Sequence, residues 1–176
     1  MSTILETSRL LIQPIHLDQD LSSLLEIHNN RNTMRWIPNN KVRWTAEDLA
    51  IKYQLNQKLY PQQLGLYKIV LKTKETTILI GELGLFPCIN SHRQIEIGYI
   101  LHEFFWKKGL ATELLQALLI HLEQHFYYTV VCAQLFESNV HSKSLLERCG
   151  FQYTSSEEIQ ATVRKLIYHY NITPRK

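Results

Sequence analysis

The chain has 176 residues, 45% hydrophobic and 20% charged, with 19 Lys and Arg against 16 Asp and Glu for a formal net charge of +3. That length and apolar content suit one domain with a substantial core and argue against wholesale disorder. The mild basicity fits an anionic ligand or an acidic partner but is too weak to indicate nucleic acid, and no basic stripe with interleaved aromatics appears. Cys88, Cys132 and Cys149 are widely spaced with no C-x-x-C pair, so neither a metal site nor a disulfide framework is indicated. The start shows no signal segment, and no apolar run approaches the ~18 residues of a membrane span. The expectation is a soluble, cytoplasmic protein with reduced thiols.

Taken in chain order, Arg9 to Ile15 (RLLIQPI) read as a strand. Leu21, Leu24, Leu25 and His28 then fall at helical spacing, with Asp18 or Asp20 available as a cap. MRWIPNNKVRW reads as a loop, and Thr45-Ala46-Glu47-Asp48 opens a helix running to about Lys58. After Pro61, LGLYKIVLK, the turn TKETT and ILIGELGLF form a hairpin pattern. RQIEIGYIL alternates, with Ile95, Ile97, Tyr99 and Leu101 on one face and Glu96, Gly98 and Ile100 on the other. Leu110, Leu114, Leu118, Leu122 and Phe126 repeat every fourth residue, which marks the strongest helix of the chain. TVVCAQLF reads as a buried strand, HSKSLLERCG as a short helix closed by glycine, and FQYTSS and TVRKLIYHYN as terminal strands. The outcome is a single α+β domain over residues 1–176 with a largely antiparallel sheet.

One stretch breaks the rules of helix starts. Phe105 to Leu114 (FWKKGLATEL) places two lysines and a glycine where Ser, Thr, Asp or Asn and acids are favoured. A helix N-terminus leaves about four N–H groups unpaired, and an anion seated there would complement both them and the dipole. Gly109 and Ala111 leave the backbone open, Lys107 and Lys108 add charge, and Thr112 adds a hydroxyl. The same residues equally fit a glycine turn flanked by solvated lysines.

The sequence resembles the GCN5-related N-acetyltransferases, and within them the ribosomal-protein-alanine acetyltransferases (the RimJ/RimL type). The matching pieces are ETSRLLIQPI, IEIGYIL, FWKKGLATELL and NVHSKSLLERCGF, in the family's order over nearly the whole chain. The resemblance implies a mixed, mostly antiparallel sheet of six to seven strands, splayed at its central strand and flanked by about four helices. It also implies acetyl-CoA as cofactor, with its pantetheine along the backbone of Tyr99, Ile100 and Leu101. The pyrophosphate would sit on the amides of Lys107, Lys108, Gly109, Leu110, Ala111 and Thr112. Asn139 would hold the cofactor or order the neighbouring helix, and Ser142 would stand near the sulfur. The family's usual glycine after Trp106 is Lys107 here.

Acetyl transfer to an amine needs a base for the ammonium, a polarised thioester and help for the leaving thiolate. Glu96, a lone carboxylate in an apolar strand, is the candidate base, with burial expected to raise its pKa. The pattern equally allows a glutamate turned to water or paired with Arg93. Many family members use a tyrosine as acid where this chain has Leu146, so Ser142 is the substitute; a serine there could also cap the helix. Trp36, Trp44 and Tyr53 fall where the family builds its acceptor pocket, which they could line or beside which they could simply pack, and Glu82, between Gly81 and Gly84, is another candidate wall. His121 and His125 are four apart, but Leu122 stands where H-E-x-x-H needs its glutamate, so no metal is expected. Cys88 and Cys132 read as small buried hydrophobes before acyl-cysteine nucleophiles. The expected activity is direct acetyl transfer to a primary amine, a protein N-terminus or a small molecule, by a monomer or homodimer. A non-catalytic acyl-CoA-binding module of the same fold is the alternative.

Overall fold

Period-two alternation and a four-residue leucine repeat give this chain strands and helices in nearly the order expected. The computed structural model describes residues 3–38, 41–88, 91–160 and 162–173. Its elements are β1 (Leu5–Glu6), β2 (Leu10–Pro14), α1 (Leu17–Asn29), α2 (Arg31–Met34), α3 (Ala46–Tyr53), α4 (Asn56–Leu59), β3 (Gly65–Lys72), β4 (Thr77–Cys88) and β5 (Ser91–Leu101). They continue with α5 (Leu110–His125), β6 (Val130–Phe136), α6 (Val140–Arg148), β7 (Gln152–Gln160) and β8 (Val163–Asn171). The strands form one mixed eight-stranded sheet in the order β1-β2-β3-β4-β5-β6-β8-β7. The sheet is therefore larger than the six to seven strands expected. β1 is only two residues long, too short for alternation to reveal it, and pairs Leu5 with Ile12 of β2.

The chain divides into two compact units. The first comprises Met1–Gly84 and Tyr99–Leu114. In it β2 runs antiparallel to β3, from Leu10↔Leu71 to Pro14↔Tyr67. Ile15, Leu24, Leu49 and Tyr53 form a core cluster, against which Leu21, Leu25, Trp44 and Leu79 pack. Asp20 is not the cap of α1. It sits inside the helix, accepts from the His16 amide at 2.7 Å and pairs with Lys68 at 2.8 Å. Thr45 does cap α3, in a reciprocal capping box with Asp48. The helix expected to reach Lys58 breaks after Tyr53, because Asn56 turns inward. Its side chain accepts from the Leu66 amide at 2.8 Å and donates to the Leu66 carbonyl at 3.0 Å.

The second unit comprises Leu85–Gly98 and Leu115–Lys176. β6 lies parallel to β5, from Gln94↔Val130 to Ile97↔Ala133, and antiparallel to β8, from Val130↔Asn171 to Phe136↔Lys165. The ladder with β5 stops at Ala133, whereas the ladder with β8 continues to Phe136. Leu115, Leu118 and Leu122 of α5 and Leu145 and Leu146 of α6 are buried. β7 is almost wholly exposed and carries two register irregularities against β8.

Gly81, in the first unit, has no room for a side chain: an added Cβ would lie 2.0 Å from the Ile100 carbonyl oxygen. Gly81→Ala is expected to lower the unfolding free energy by about 1–3 kcal/mol, the range for overpacking, measured by urea denaturation.

Candidate functional site

The start of α5 is assembled from three segments of the first unit. Trp106 donates its indole N–H to the Leu101 carbonyl at 2.7 Å, which pins the loop to the end of β5. The chain then takes a left-handed step at Lys107 (φ 59°) and another at Gly109 (φ 74°). Glycine tolerates such a step freely; lysine does so at a cost of about 1–2 kcal/mol. The first backbone bond of the helix runs from the Glu113 amide to the Gly109 carbonyl at 3.0 Å. Among the described residues, no protein group accepts from the amides of Leu110, Ala111 and Thr112.

Glu113 is the acid of the first turn, yet it does not fold back on those amides. Its carboxylate accepts from Thr7 Oγ1 at 2.6 Å, from the Arg9 amide at 2.8 Å and from Arg9 Nε at 2.6 Å. Arg9 Nη1 meanwhile donates to the Lys108 carbonyl at 2.9 Å, so one guanidinium holds both the helix and the loop before it. Burial pushes the Glu113 carboxyl up, but the bonds from Thr7 and Arg9 outweigh it and hold the group below its ordinary range. A Cβ on Gly109 would meet only Arg9 Nη2, at 3.5 Å. Exposed lysines, an open backbone and a row of unpaired amides at a positive helix end make a site whose chemistry fits a diphosphate. Sequence reasoning quoted Thr7 and Arg9 within ETSRL but gave them no role. Their partner lies more than a hundred residues away.

A second constellation lies elsewhere in the first unit. Trp44, Tyr53 and Glu82 come together, joined by His28 and Lys52, which sequence reasoning did not assign. Glu82 is 1% exposed. Its Oε1 accepts from His28 Nε2 at 2.7 Å and from the Tyr53 hydroxyl, and its Oε2 accepts from Lys52 Nζ at 2.5 Å. The Lys52 ammonium lies 5.6 Å from the Trp44 ring centroid and 5.2 Å from that of Tyr53. Trp44 is anchored by a pair of backbone bonds to the Asn29 side chain, at 2.8 and 3.1 Å, and its ring lies 4.7 Å from that of His28. Burial pushes the Glu82 carboxyl up, yet His28 and Lys52 bring it below the ordinary carboxylate range. Burial also pushes the Lys52 ammonium down, against the pull of Glu82. Trp36 does not join this group; the Arg35 guanidinium covers its ring at 4.6 Å and lies 5.9 Å from the Trp106 ring.

The remaining candidates belong to the second unit. Glu96 stands on the expected face of β5, with Ile95 and Ile97 buried on the other. It is half-buried, and its partner is Gln134, whose Nε2 donates to Oε2 at 3.0 Å. Asn139 is the N-cap of α6 and accepts from the Ser142 amide at 3.2 Å, so Asn139 is the capping residue and the Ser142 amide the capped group. Leu146, at the position of the family's tyrosine, is buried. Burial raises the thiols of both Cys88 and Cys132, the latter to about 12. His121 is half-buried, with its ring 5.8 Å from that of Phe126.

A mixed sheet in this order, with an open amide row at the start of the helix after β5, is the architecture of an acyl-CoA N-acyltransferase. Comparison with known proteins makes the class specific. The family described as "Acetyltransferase (GNAT) domain" matches residues 9–152, and the chain belongs to that family. It is 28% identical over 152 residues to the N-acetyltransferase YoaA of Bacillus subtilis, covering 86% of this chain and 84% of that one. It is 26% identical over 140 residues to the spermine/spermidine N(1)-acetyltransferase of the same organism, covering 77% and 84%. Among solved structures it resembles RimL, the ribosomal L7/L12 alpha-N-protein acetyltransferase in complex with coenzyme A. The TM-score is 0.77 at 17% identity, over 97% of this chain and 98% of that one. Among the described residues no helix is long and apolar enough to cross a membrane.

Two outcomes test the α5 start. Lys107→Gly removes a side chain from a left-handed position and is expected to raise the unfolding free energy by about 1 kcal/mol in urea denaturation. Glu113 has a lowered folded pKa, so its contribution is present above the unfolded value and lost as pH falls through the folded one. Glu113→Gln is therefore expected to flatten the acid side of a stability-against-pH curve below about pH 4.5.

Proposed function

We propose that the chain is an acetyl-CoA-dependent N-acetyltransferase that acetylates a primary amine by direct transfer in a ternary complex. The observation that carries this reading is the row of amides from Leu110 to Thr112, unpaired among the described residues, with the nearest acid, Glu113, bonded to Thr7 and Arg9. The diphosphate of the cofactor is assigned to the backbone of Lys107–Thr112, and its pantetheine to the backbone of Tyr99, Ile100 and Leu101. Bound acetyl-CoA supplies the acetyl group as an activated thioester. The raised thiols of Cys88 and Cys132 favour direct transfer, because a protonated cysteine is a poor acyl acceptor.

Glu96 is assigned as the base that takes the ammonium proton through a water, with Gln134 orienting its carboxylate. Ser142 is assigned a hydrogen bond to the leaving sulfur. Its helix is ordered by Asn139, which frees Asn139 from any need to touch the cofactor directly. Trp44, Tyr53 and Glu82 are assigned to the acceptor end, and Trp36 to the support of Trp106 through Arg35. The acceptor is a small-molecule amine or a protein N-terminus; the polyamine acetyltransferase and RimL relatives mark the two classes. The RimJ/RimL-type assignment, a single catalytic domain over residues 1–176, a cytoplasmic location and a monomer or homodimer belong to the same reading.

Acetyl-CoA is expected to raise the melting temperature and to be consumed, with thiol release, in the presence of one or more amines from a panel that includes diamines and peptide N-termini. A chain that acetyl-CoA fails to stabilise would overturn the reading. Stabilisation without any acetylated product would identify a binding module. Glu96→Gln is expected to lower kcat about 10²- to 10⁴-fold and to flatten the acidic limb of the pH–rate profile. An unchanged profile removes Glu96 as base.

A further inference from the structure

The groups around Glu82 are those that recognise an alkylammonium ion. A carboxylate supplies the countercharge, and the faces of Trp44 and Tyr53 supply the negative side of two ring quadrupoles. The ion held there is the chain's own, Lys52 Nζ, 2.5 Å from Glu82 Oε2. The host side chains are fixed: Glu82 is 1%, His28 3% and Tyr53 6% exposed. Lys52 differs, because its side chain remains 20% exposed and it sits next to the last residue of the eight-residue helix α3. Rotation of its own four-carbon stem would carry the ammonium into water without moving the others. Burial also disfavours its charged form there, so its departure regains hydration.

Among the described residues, two buried polar atoms of these side chains, His28 Nδ1 and Trp44 Nε1, have no hydrogen-bond partner. Lys52 Nζ lies 2.9 Å from His28 Nε2 as well as against Glu82, so the imidazole is part of the wall around the ammonium. A bound ammonium has three N–H donors, and the Glu82 carboxylate and the faces of Trp44 and Tyr53 are the groups placed to receive them.

We propose that the Glu82 cluster is an alkylammonium-binding site which Lys52 fills in the substrate-free chain, so that an amine substrate and Lys52 compete for one carboxylate. The proposal rests on the acetyltransferase reading only for the purpose of that binding. An ammonium paired with Glu82 has no lone pair and cannot be the attacking group. The substrate class is therefore an amine with a second cationic centre: one nitrogen is held by Glu82, Trp44 and Tyr53 while another reacts.

The test uses Lys52→Ala in the full chain, with n-butylammonium chloride and 1,4-diaminobutane as probes. Removing Lys52 leaves Glu82 without its ion pair, so n-butylammonium is expected to raise the melting temperature of Lys52→Ala beyond the effect of equimolar sodium chloride, and to raise that of the wild type less. With acetyl-CoA present, the KM for 1,4-diaminobutane is expected to fall about tenfold in Lys52→Ala, the loss of a competing interaction of about 1.4 kcal/mol. The KM for acetyl-CoA should not change, and n-butylamine should be acetylated with a KM well above that of the diamine. Equal stabilisation by the two salts, or an unchanged diamine KM, would overturn the proposal. If Lys52→Ala does not fold, the wild type labelled with ¹³C-lysine serves instead: the Lys52 side-chain resonance should move to the position of exposed lysines as n-butylammonium is added, and a resonance that stays in place sinks the idea. The melting and labelling readouts do not require turnover. A chain that binds n-butylammonium but not acetyl-CoA would retain this site and lose the acetyltransferase reading.

Discussion

A long helix that begins without a cap sets a constraint that the rest of the first unit has to meet. Three amides at the start of α5 lack acceptors among the described residues, and the lysines beside them face the unfavourable end of the dipole. The position from which an acid folds back over a helix start is Thr112, which has no carboxylate to offer. Glu113, one residue later, is held by three hydrogen bonds from Thr7 and Arg9. The N-terminal residues thus tie down the first acid of a helix more than a hundred positions downstream, while the amides before it are left to the anion that the proposed function seats there.

Glu82 poses the opposite problem. A carboxylate buried this deeply must be neutralised or surrounded by donors, since an unpaired charge in an apolar interior costs several kcal/mol. The chain surrounds it with a hydroxyl, an imidazole and an ammonium drawn from α1 and α3. Those helices consequently pack with a polar seam beside their leucines, and Trp44 closes over it, tied to Asn29 at the end of α1. One unit therefore contains two charged features of opposite sign, an amide row beside exposed lysines and a buried carboxylate among aromatic rings.

Most of the fold was legible in the sequence because the leucine repeat of α5 and the alternation of β5 report burial directly. β1 escaped because two residues carry no period, and the break after Tyr53 escaped because it depends on where Asn56 finds a backbone partner. The loop of the candidate site was visible as a violated local rule at Lys107, Lys108 and Gly109. The acid cluster was half visible: Trp44, Tyr53 and Glu82 stood out by type, and His28 by its place on an apolar helix face. Lys52 gave no signal, since a lysine next to a tyrosine near a helix end is ordinary until its partner on β4 is known. Glu96 illustrates a further limit. Alternation placed it on the correct face, but only the register of β6 shows that Gln134 reaches it.

The two ends of the sheet bear on how the protein behaves in a crowd. An unpaired strand edge is a template for adding another chain, and long flat edges lead to aggregates. At one end stands β1, with only two residues to offer. At the other stands β7, nine residues long and exposed, but interrupted by two register irregularities and carrying Glu157 and Glu158 side by side. Neither edge presents a regular, uncharged run of backbone to a neighbour. Short length, register irregularities and paired charges are the features that discourage strand-upon-strand addition between copies of a chain at high concentration.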